Sequence, residues 1–300
     1  MLVDLSAISY LVHWVLVCNK FQVSMFCTTT PFDAALTQLC SYSPYTISPP
    51  YSALISVLLL CLSQVHQTTS MSAPTFAGLL PALPPGIKII LGSSSPRRAE
   101  ILRTACIPFE AIPTRFDEAT IRHTKFSIPP TQYVTDSATL KARDVLSQLP
   151  KKTPIPTTYL VIGSDTVVDL NGVVLEKPNS DAEATEMLES LSGETHQVHT
   201  GVAIFKYTSD SSGADSIAQI ASLAPVRAFA ESSTVKFADL NSADVAAYVA
   251  SGEPLDKAGG YGIQASGGQF VTSIEGCFYN VMGLPMHKVS RALSEIIASI

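Results

Sequence analysis

Residues 89–102 read IILGSSSPRRAEIL, and they predict a strand, a turn and a helix in direct succession. The apolar run Ile89–Leu91 forms the strand, and the serine-rich turn Ser93–Ser95 ends it. Pro96 suits the first position of a helix, where a backbone N–H would have no partner in any case. The turn therefore presents several hydroxyl and N–H groups at the N-terminus of a helix.

Two adjacent arginines make this helix start a candidate phosphate-binding site. Helix N-termini attract anions through unpaired N–H groups and through the positive end of the helix dipole. Arg97 and Arg98 add forked, permanently charged donors, and Ser93 adds a hydroxyl group. A solvated arginine pair in an ordinary first turn is the simpler interpretation, and a short motif alone does not decide between the two.

The composition excludes several classes of function. The chain has 300 residues, 46% of them hydrophobic, and a formal net charge of -6. Binding to nucleic acid polymers requires a basic surface, so the acidic balance argues against it. The six cysteines show no CxxC spacing, so neither a zinc site nor a redox pair is indicated. Scattered cysteines favour a reducing compartment, and we expect a cytoplasmic protein.

The N-terminal part of the chain differs from the rest. We expect residues 1–85 to be an extension that is disordered or absent from the native protein, followed by the main domain at 86–300. Within the extension, two apolar runs are both shorter than the roughly 20 residues of a membrane span, and we predict no membrane association for the main domain. We interpret Met71 as the natural start of translation; a membrane-associating or targeting segment is the alternative.

The main domain mixes predicted strands and helices without strict alternation. Asn171-Gly172 between two apolar runs predicts a hairpin, Ser180 to Glu183 form a capping box, and residues 208–225 are a polar insertion expected to be a surface loop. The further predicted strands are Phe109–Thr114, Tyr159–Gly163, His196–Tyr207, Arg227–Ala238 and Gln269–Ile274, and the further helices are 131–149, Asn241–Ser251 and Met286–Ile297. We predict an α/β fold with a mixed central β-sheet flanked by helices, and an active site in a cleft between two lobes.

Two carboxylates are candidates for metal binding or catalysis. Asp165 directly follows the predicted strand Tyr159–Gly163, and Glu118 lies in the sequence FDEA. Carboxylates are the usual ligands of Mg²⁺, which also shares substrate phosphates. Cleavage of a phosphoanhydride needs such a cation to neutralise charge and activate water. Taken singly, a turn-forming aspartate and a surface glutamate are the simpler interpretations.

Three lysines and a glutamine complete the polar candidates. Lysines are mostly exposed in any protein, but Lys177 and Lys257 lie in loops with glycine or proline, where binding residues concentrate. Lys141 lies on the predicted helix 131–149. The amide of Gln264, in GGYGIQASGG, can pair with the donor and acceptor edge of a base.

Other catalytic chemistries receive no support from the motifs. His196 and His199 are three residues apart on a predicted strand, so they point to opposite faces and are predicted not to be metal ligands. The sequence contains no GxSxG and no GxxxxGK[ST] motif. Serine hydrolases and P-loop NTPases are therefore disfavoured.

The motifs together resemble the Maf nucleoside triphosphate pyrophosphatases. The resemblance covers about residues 86–300, and its departures are Gly92, Gly260, Ala265 and the insertion at 208–225, none of which removes a charged candidate. The matching segments, in the order of the family, are LGSSSPRRAEIL, FDE, YVTDSATLKA, VIGSDTVVDLNGVVLEKP, HTGV, EPLDKAGGYGIQ and FYNVMGLP.

This resemblance implies hydrolysis of a nucleoside triphosphate between its α and β phosphates, with Mg²⁺ or Mn²⁺ as cofactor. Asp165 would be the catalytic acidic residue, as a base or a metal ligand, and Glu118 would assist the metal or the water. The family also suggests a homodimer. The residues that would hold phosphates are Ser93, Arg97, Arg98, Lys141, Lys177 and Lys257.

The subfamily follows from three positions. Maf members that act on dTTP and UTP resemble this chain in having Arg97, Thr166 and Gln264, whereas members that act on 7-methyl-GTP typically have tryptophan in place of Arg97. We therefore expect dTTP, UTP and modified pyrimidine nucleotides as substrates, in a role of cleansing the nucleotide pool. The alternatives are a non-catalytic nucleotide-binding regulator of cell division and a purine pyrophosphatase acting on ITP, XTP or 7-methyl-GTP.

Overall fold

The computed structural model describes residues 83–209 and 222–300. The predicted extension at 1–85, including Met71, lies outside these residues except for 83–85, and the predicted insertion at 208–225 lies outside them at 210–221, so both stay predictions. Within the described ranges, no helix is long and apolar enough to cross a membrane.

A mixed β-sheet forms the centre of the described part. Its strands are β1 (Ile87–Gly92), β2 (Glu110–Ala111), β3 (Thr157–Leu170), β4 (Val173–Leu175), β5 (Thr195–Ser209), β6 (Arg227–Phe237) and β7 (Val271–Glu275). The strand order is β2-β1-β3-β5-β6-β7, and β4 pairs with β3. Strand β1 is parallel to β2 and β3, and every other pair is antiparallel, so the predicted mixed sheet is confirmed.

Helices cover both faces of this sheet. They are α1 (Pro96–Thr104), α2 (Ala119–Arg122), α3 (Pro130–Gln148), α4 (Asp181–Leu191), α5 (Ser242–Ala250), α6 (Phe278–Met282) and α7 (Met286–Ala298), with short 3₁₀ segments at His123–Phe126, Glu253–Asp256, Ala258–Gly260 and Ser266–Phe270. Helix α3 packs on one face, against Ile90 and Val161. On the other face, α1 and α7 pack against Ile89 and Ile162, and α4 and α5 pack further along, against Val168.

Local sequence signals account for several element boundaries. Pro96 occupies the first turn of α1 as predicted. Asn171 and Gly172 both have positive φ, 52° and 87°, as a two-residue type I′ hairpin requires. The Ser180 side chain accepts a hydrogen bond of 3.2 Å from the Glu183 N–H, which confirms the predicted cap of α4.

Strand β3 is longer than the sequence predicts. We expected a strand at Tyr159–Gly163 with Asp165 just beyond its end, but β3 continues through Asp165 to Leu170. The reason is its partner, because β5 pairs with β3 in an unbroken antiparallel register from Thr157 to Asp169. The predicted strand Phe109–Thr114 is conversely reduced to the two residues of β2.

Two glycines bring the backbone of α3 directly onto the sheet. A Cβ atom at Gly163 would lie 2.2 Å from the Ala138 carbonyl oxygen, and a Cβ at Gly201 would lie 2.2 Å from the Val134 carbonyl oxygen. Gly201 is also the β5 partner of Asp165. The absence of side chains at these two positions therefore sets the distance between α3 and the part of β3 that carries Asp165.

Replacing Gly201 with alanine tests this packing. Because the new Cβ would meet backbone atoms that cannot rotate away, we expect G201A to lower the free energy of unfolding by about 1–3 kcal/mol and to reduce any activity that depends on α3. Urea denaturation of the purified variants measures the first effect. The matched control is G172A, where nothing lies within 4 Å of the added Cβ and only backbone strain is added. Equal stability of G201A and wild type would contradict the packing argument.

Candidate active site

One cavity gathers every candidate site residue. It has a volume of about 260 Å³, close to the lower end of the roughly 300–1,000 Å³ typical of small-molecule sites. The predicted cleft between two lobes stays a prediction, as do the individual roles of the residues. The ten candidates that line the cavity are Ser93, Arg97, Arg98, Glu118, Lys141, Asp165, Thr166, Lys177, Lys257 and Gln264.

The cavity lies at a gap in the sheet. Strand β1 pairs with β3 only as far as Gly163, and β4 pairs with the same edge of β3 from Val168 onward. Within the described residues, the segment 164–167 therefore has β5 as its only strand neighbour, and its other edge is unpaired. Asp165 thus lies beside the carboxyl end of the neighbouring strand β1, which is where open α/β sheets place their ligands.

The turn after β1 is arranged around the Ser93 hydroxyl. Its Oγ accepts hydrogen bonds from the Ser95 N–H at 3.1 Å and from Arg98 Nη1 at 3.2 Å. Ser95 occupies the N-cap position of α1, but its side chain makes no capping hydrogen bond. The N–H groups of the first turn are therefore open to an anionic ligand.

Arg98 is half-buried, and the acceptors that hold it among the described residues are all neutral. Its Nε donates to the Gly283 carbonyl oxygen at 2.8 Å, and its Nη2 donates to Thr166 Oγ1 at 3.0 Å. Burial lowers the pKa of Arg98 from its ordinary value, while Asp165 opposes this shift. Arginine does not lose its proton in proteins, so Arg98 contributes a full, geometrically fixed positive charge to the cavity.

Lys141 lies between the two candidate carboxylates. Its Nζ is 2.6 Å from Asp165 Oδ1 and 2.8 Å from Glu118 Oε1, and its side chain is only 6% exposed. Burial alone would raise the pKa of Asp165, but the charge and hydrogen bond of Lys141 and the charge of Arg98 lower it below its ordinary value. Asp165 is therefore ionised at neutral pH.

Arg97 and Lys257 share a partner that the sequence analysis missed. Asp256 Oδ2 accepts from Arg97 Nη1 at 2.7 Å, and Asp256 Oδ1 accepts from Lys257 Nζ at 2.6 Å. The available signal was the sequence LDK, in which Asp256 precedes Lys257. An acidic residue beside a lysine is common on surfaces, so this signal is weak without the fold.

The remaining candidates lie at the rim and the floor of the cavity. Lys177 and Gln264 are exposed, and among the described residues neither has a hydrogen-bond or ion-pair partner. Thr166 lies deeper, where its hydroxyl accepts from Arg98 and also shares a hydrogen bond of 3.0 Å with Thr200. The exposed side chains of Lys177 and Gln264 are thus available to contact a ligand.

An apolar wall faces these polar groups, and sequence reasoning did not identify it. It includes Val168 and Val198 from the sheet, Tyr261, and Val281 and Met282 from α6. In the sequence these residues have the pattern of ordinary core positions, which is why no signal separated them from the core. The wall offers an apolar surface that suits a planar organic group.

The donor set is compatible with a divalent cation that substrate phosphates help to hold. The described residues contain no cluster of three or more His, Cys, Asp or Glu side chains suited to a metal ion. Mg²⁺ is usually bound by one or two carboxylates together with waters and phosphate oxygens. Asp165 and Glu118, which approach the same Lys141 ammonium group, are such a pair.

The two histidines lie outside the cavity lining. His196 Nε2 shares a hydrogen bond of 2.8 Å with the Tyr261 hydroxyl, whereas His199 Nδ1 bonds to Ser232 Oγ. His196 is 2% exposed, and burial lowers its pKa to about 4. It is therefore a neutral residue that supports Tyr261 from behind the cavity wall.

Comparisons with known proteins give matches over the main part of the chain. The family model described as "Maf-like protein" matches residues 88–296. A dTTP/UTP pyrophosphatase of Clostridium perfringens is 43% identical over 207 residues, covering 69% of this chain and 96% of the relative, and that of Clostridium tetani is 40% identical over 210 residues, covering 70% and 98%. A human protein described as a probable bifunctional dTTP/UTP pyrophosphatase/methyltransferase is 40% identical over 209 residues, covering 70% of this chain and 32% of the relative.

The burial of His196 predicts a pH dependence of stability. His196 stays neutral in the folded protein down to about pH 4, whereas in the unfolded chain it gains a proton near pH 6.5. Its contribution is present above pH 6.5 and is lost as the pH falls toward 4, by about 3 kcal/mol in total. We expect H196Q, which can still bond to Tyr261 but does not titrate, to show a flatter decline of unfolding free energy over this range. Parallel pH profiles of the two proteins, measured by chemical denaturation, would refute this expectation.

Proposed function

The chain belongs to the Maf-like protein family, and from that premise we propose that it hydrolyses nucleoside triphosphates, preferably dTTP and UTP, to the nucleoside monophosphate and pyrophosphate. The observation that carries the proposal is the joint placement of five cationic side chains with Asp165 and Glu118 in one cavity. A triphosphate is a strongly charged anion, and its hydrolysis develops further negative charge that fixed cations stabilise. The name of the curated relatives supports the choice of dTTP and UTP.

Two cations can bind phosphate without displacing a carboxylate. Arg98 is fixed by neutral acceptors, and Lys177 is exposed at the rim. Arg98 presents a rigid fork that matches phosphate oxygens, whereas Lys177 is a mobile point charge. The open N–H groups of α1 add further donors to the same phosphate.

The hydrolytic step centres on Asp165. Its lowered pKa makes it a weak base, so we assign it primarily to holding a divalent cation together with Glu118. When bound, Mg²⁺ or Mn²⁺ would neutralise charge on the triphosphate and lower the pKa of a water molecule. Lys141 holds both carboxylates in place and balances their charge. Glu118, which is 38% exposed, is the better placed of the two carboxylates to take a proton from the attacking water.

The nucleoside would lie between the apolar wall and the polar rim. The Gln264 amide can both donate to and accept from the edge of a pyrimidine base. Arg97 and Thr166 line the same cavity and would restrict which bases fit. We also propose a cytoplasmic location, supported by the free thiols of Cys106 and Cys277, and a homodimer, supported by the family resemblance.

A panel of triphosphates tests the proposed function directly. With Mg²⁺ or Mn²⁺ we expect release of pyrophosphate, rather than orthophosphate, from dTTP and UTP at rates well above those for ITP, XTP and 7-methyl-GTP. Addition of EDTA should abolish the release. Preference for a purine nucleotide would contradict the assignment to dTTP and UTP, and nucleotide binding without turnover would favour a regulatory protein.

Replacing Asp165 with asparagine tests the site. We expect D165N to reduce the rate of pyrophosphate release by about 10²–10⁴-fold, because the remaining amide cannot carry the charge that holds a cation. The matched control is D169N, on the same face of β3 but outside the cavity lining, where the asparagine Oδ1 can still accept the Gly172 N–H. D169N should keep wild-type activity. Equal rates for D165N and wild type would remove Asp165 from the mechanism.

A further inference from the structure

Asp256 contacts two of the cavity's cations in the way that a phosphate group could. One carboxylate oxygen accepts from Arg97 at 2.7 Å, and the other accepts from Lys257 at 2.6 Å. Two oxygens of a phosphate group could accept the same two hydrogen bonds, since both are charge-assisted contacts between an oxyanion and a cation. The Asp256 carboxylate thus occupies a position that suits an anionic ligand.

Both cations keep a second anchor that does not involve this carboxylate. Arg97 Nη2 donates to the backbone carbonyl oxygen of Asp256 at 2.9 Å, and Lys257 Nζ donates to the backbone carbonyl oxygen of Glu253 at 2.6 Å. Glu253 is itself fixed by a hydrogen bond of 2.8 Å from the Tyr248 hydroxyl. The positions of the two cations are therefore maintained by backbone atoms even when the carboxylate moves away.

The carboxylate is also free to leave. The Asp256 side chain is 59% exposed, whereas those of Arg97 and Lys257 are 18% and 10% exposed. Burial is the largest single effect on the pKa of Asp256 and raises it, but the hydrogen bonds and charges of Lys257 and Arg97 together lower this pKa below its ordinary value, so Asp256 is charged at neutral pH. Water at the exposed Asp256 carboxylate weakens both ion pairs by screening, and rotation of this short side chain into water would break them.

We propose that the Asp256 carboxylate is a resident anion of a phosphate subsite between Arg97 and Lys257, and that a phosphate group of the incoming ligand displaces it. This inference rests on the proposed function in taking a triphosphate as the ligand. It assigns Asp256 a role opposite to that of a binding residue, since its charge competes with the ligand. The resident anion lowers the affinity of the cavity for polyphosphates and thereby favours their release.

The test is the affinity for inorganic tripolyphosphate, which carries three linked phosphates and no nucleoside. Calorimetric titration of the full chain in metal-free buffer should give a dissociation constant about tenfold lower for D256N than for wild type. D256A should change the affinity in the same direction. The matched control is E189Q, which removes one charge from an exposed position of α4 that does not line the cavity, and it should bind like wild type. Thermal unfolding checks that each variant is folded.

Three outcomes would overturn the inference. If D256N and D256A bound tripolyphosphate as weakly as wild type or more weakly, the carboxylate would be holding the cations in place for the ligand. If E189Q tightened binding as much as D256N, net charge alone would explain the effect. If neither wild type nor D256N bound tripolyphosphate, the subsite would not exist. Because the titration needs no turnover, tighter binding by D256N in a protein without pyrophosphatase activity would separate this inference from the proposed function.

Discussion

The contact on which the site depends is the close packing of α3 against the sheet at Gly163 and Gly201. With no side chain at either position, backbone carbonyls of α3 lie where a Cβ would otherwise be. Lys141 follows Ala138 by three residues, which is about one turn along the same face of the helix. The packing therefore brings the Lys141 ammonium to within 2.6 Å of Asp165. A wider helix–sheet spacing would separate this largely buried carboxylate from the ammonium group, which is unfavourable.

The cations of the cavity differ in their hydrogen-bond and ion-pair partners, and their roles differ accordingly. Arg98 has only neutral acceptors and keeps its charge available to a ligand. Lys141 is balanced by Asp165 and Glu118, so its main effect is on those carboxylates. Arg97 and Lys257 are balanced by one exposed carboxylate that a ligand can replace. If none of the cations in the cavity had a partner, they would repel one another. A partner that a ligand can displace reduces this repulsion and still leaves the positive charge available to the ligand.

Much of this arrangement could be predicted from the sequence because the informative signals are local. The helix start at Pro96, the hairpin at Asn171-Gly172 and the cap at Ser180 depend on residues within a few positions of each other. The extent of β3 was not predictable in this way, because it is set by β5, some forty residues further along the chain. Asp256 was missed for a similar reason: its partner Arg97 is 159 residues away. The apolar wall was missed because a valine that lines a cavity and a valine in the core look the same in a sequence.

The gap in the sheet explains how two successive residues of one strand can serve the same site. In a continuous sheet, Asp165 and Thr166 would point to opposite faces and could not share a ligand. Here β1 stops at Gly92, opposite Gly163, and β4 pairs with β3 only from Val168 of β3 onward. Asp165 can therefore reach Lys141 of α3 on one face, while Thr166 reaches Arg98 of α1 on the other, and both border the same cavity around the free edge. The expectation that Asp165 lies at the end of its own strand was wrong, because β3 continues to Leu170. Asp165 instead lies beside the end of the neighbouring strand β1. The end of β1 matters for the site in two ways. It leaves the edge of β3 beyond Gly163 unpaired, and the turn that begins α1 follows directly after it.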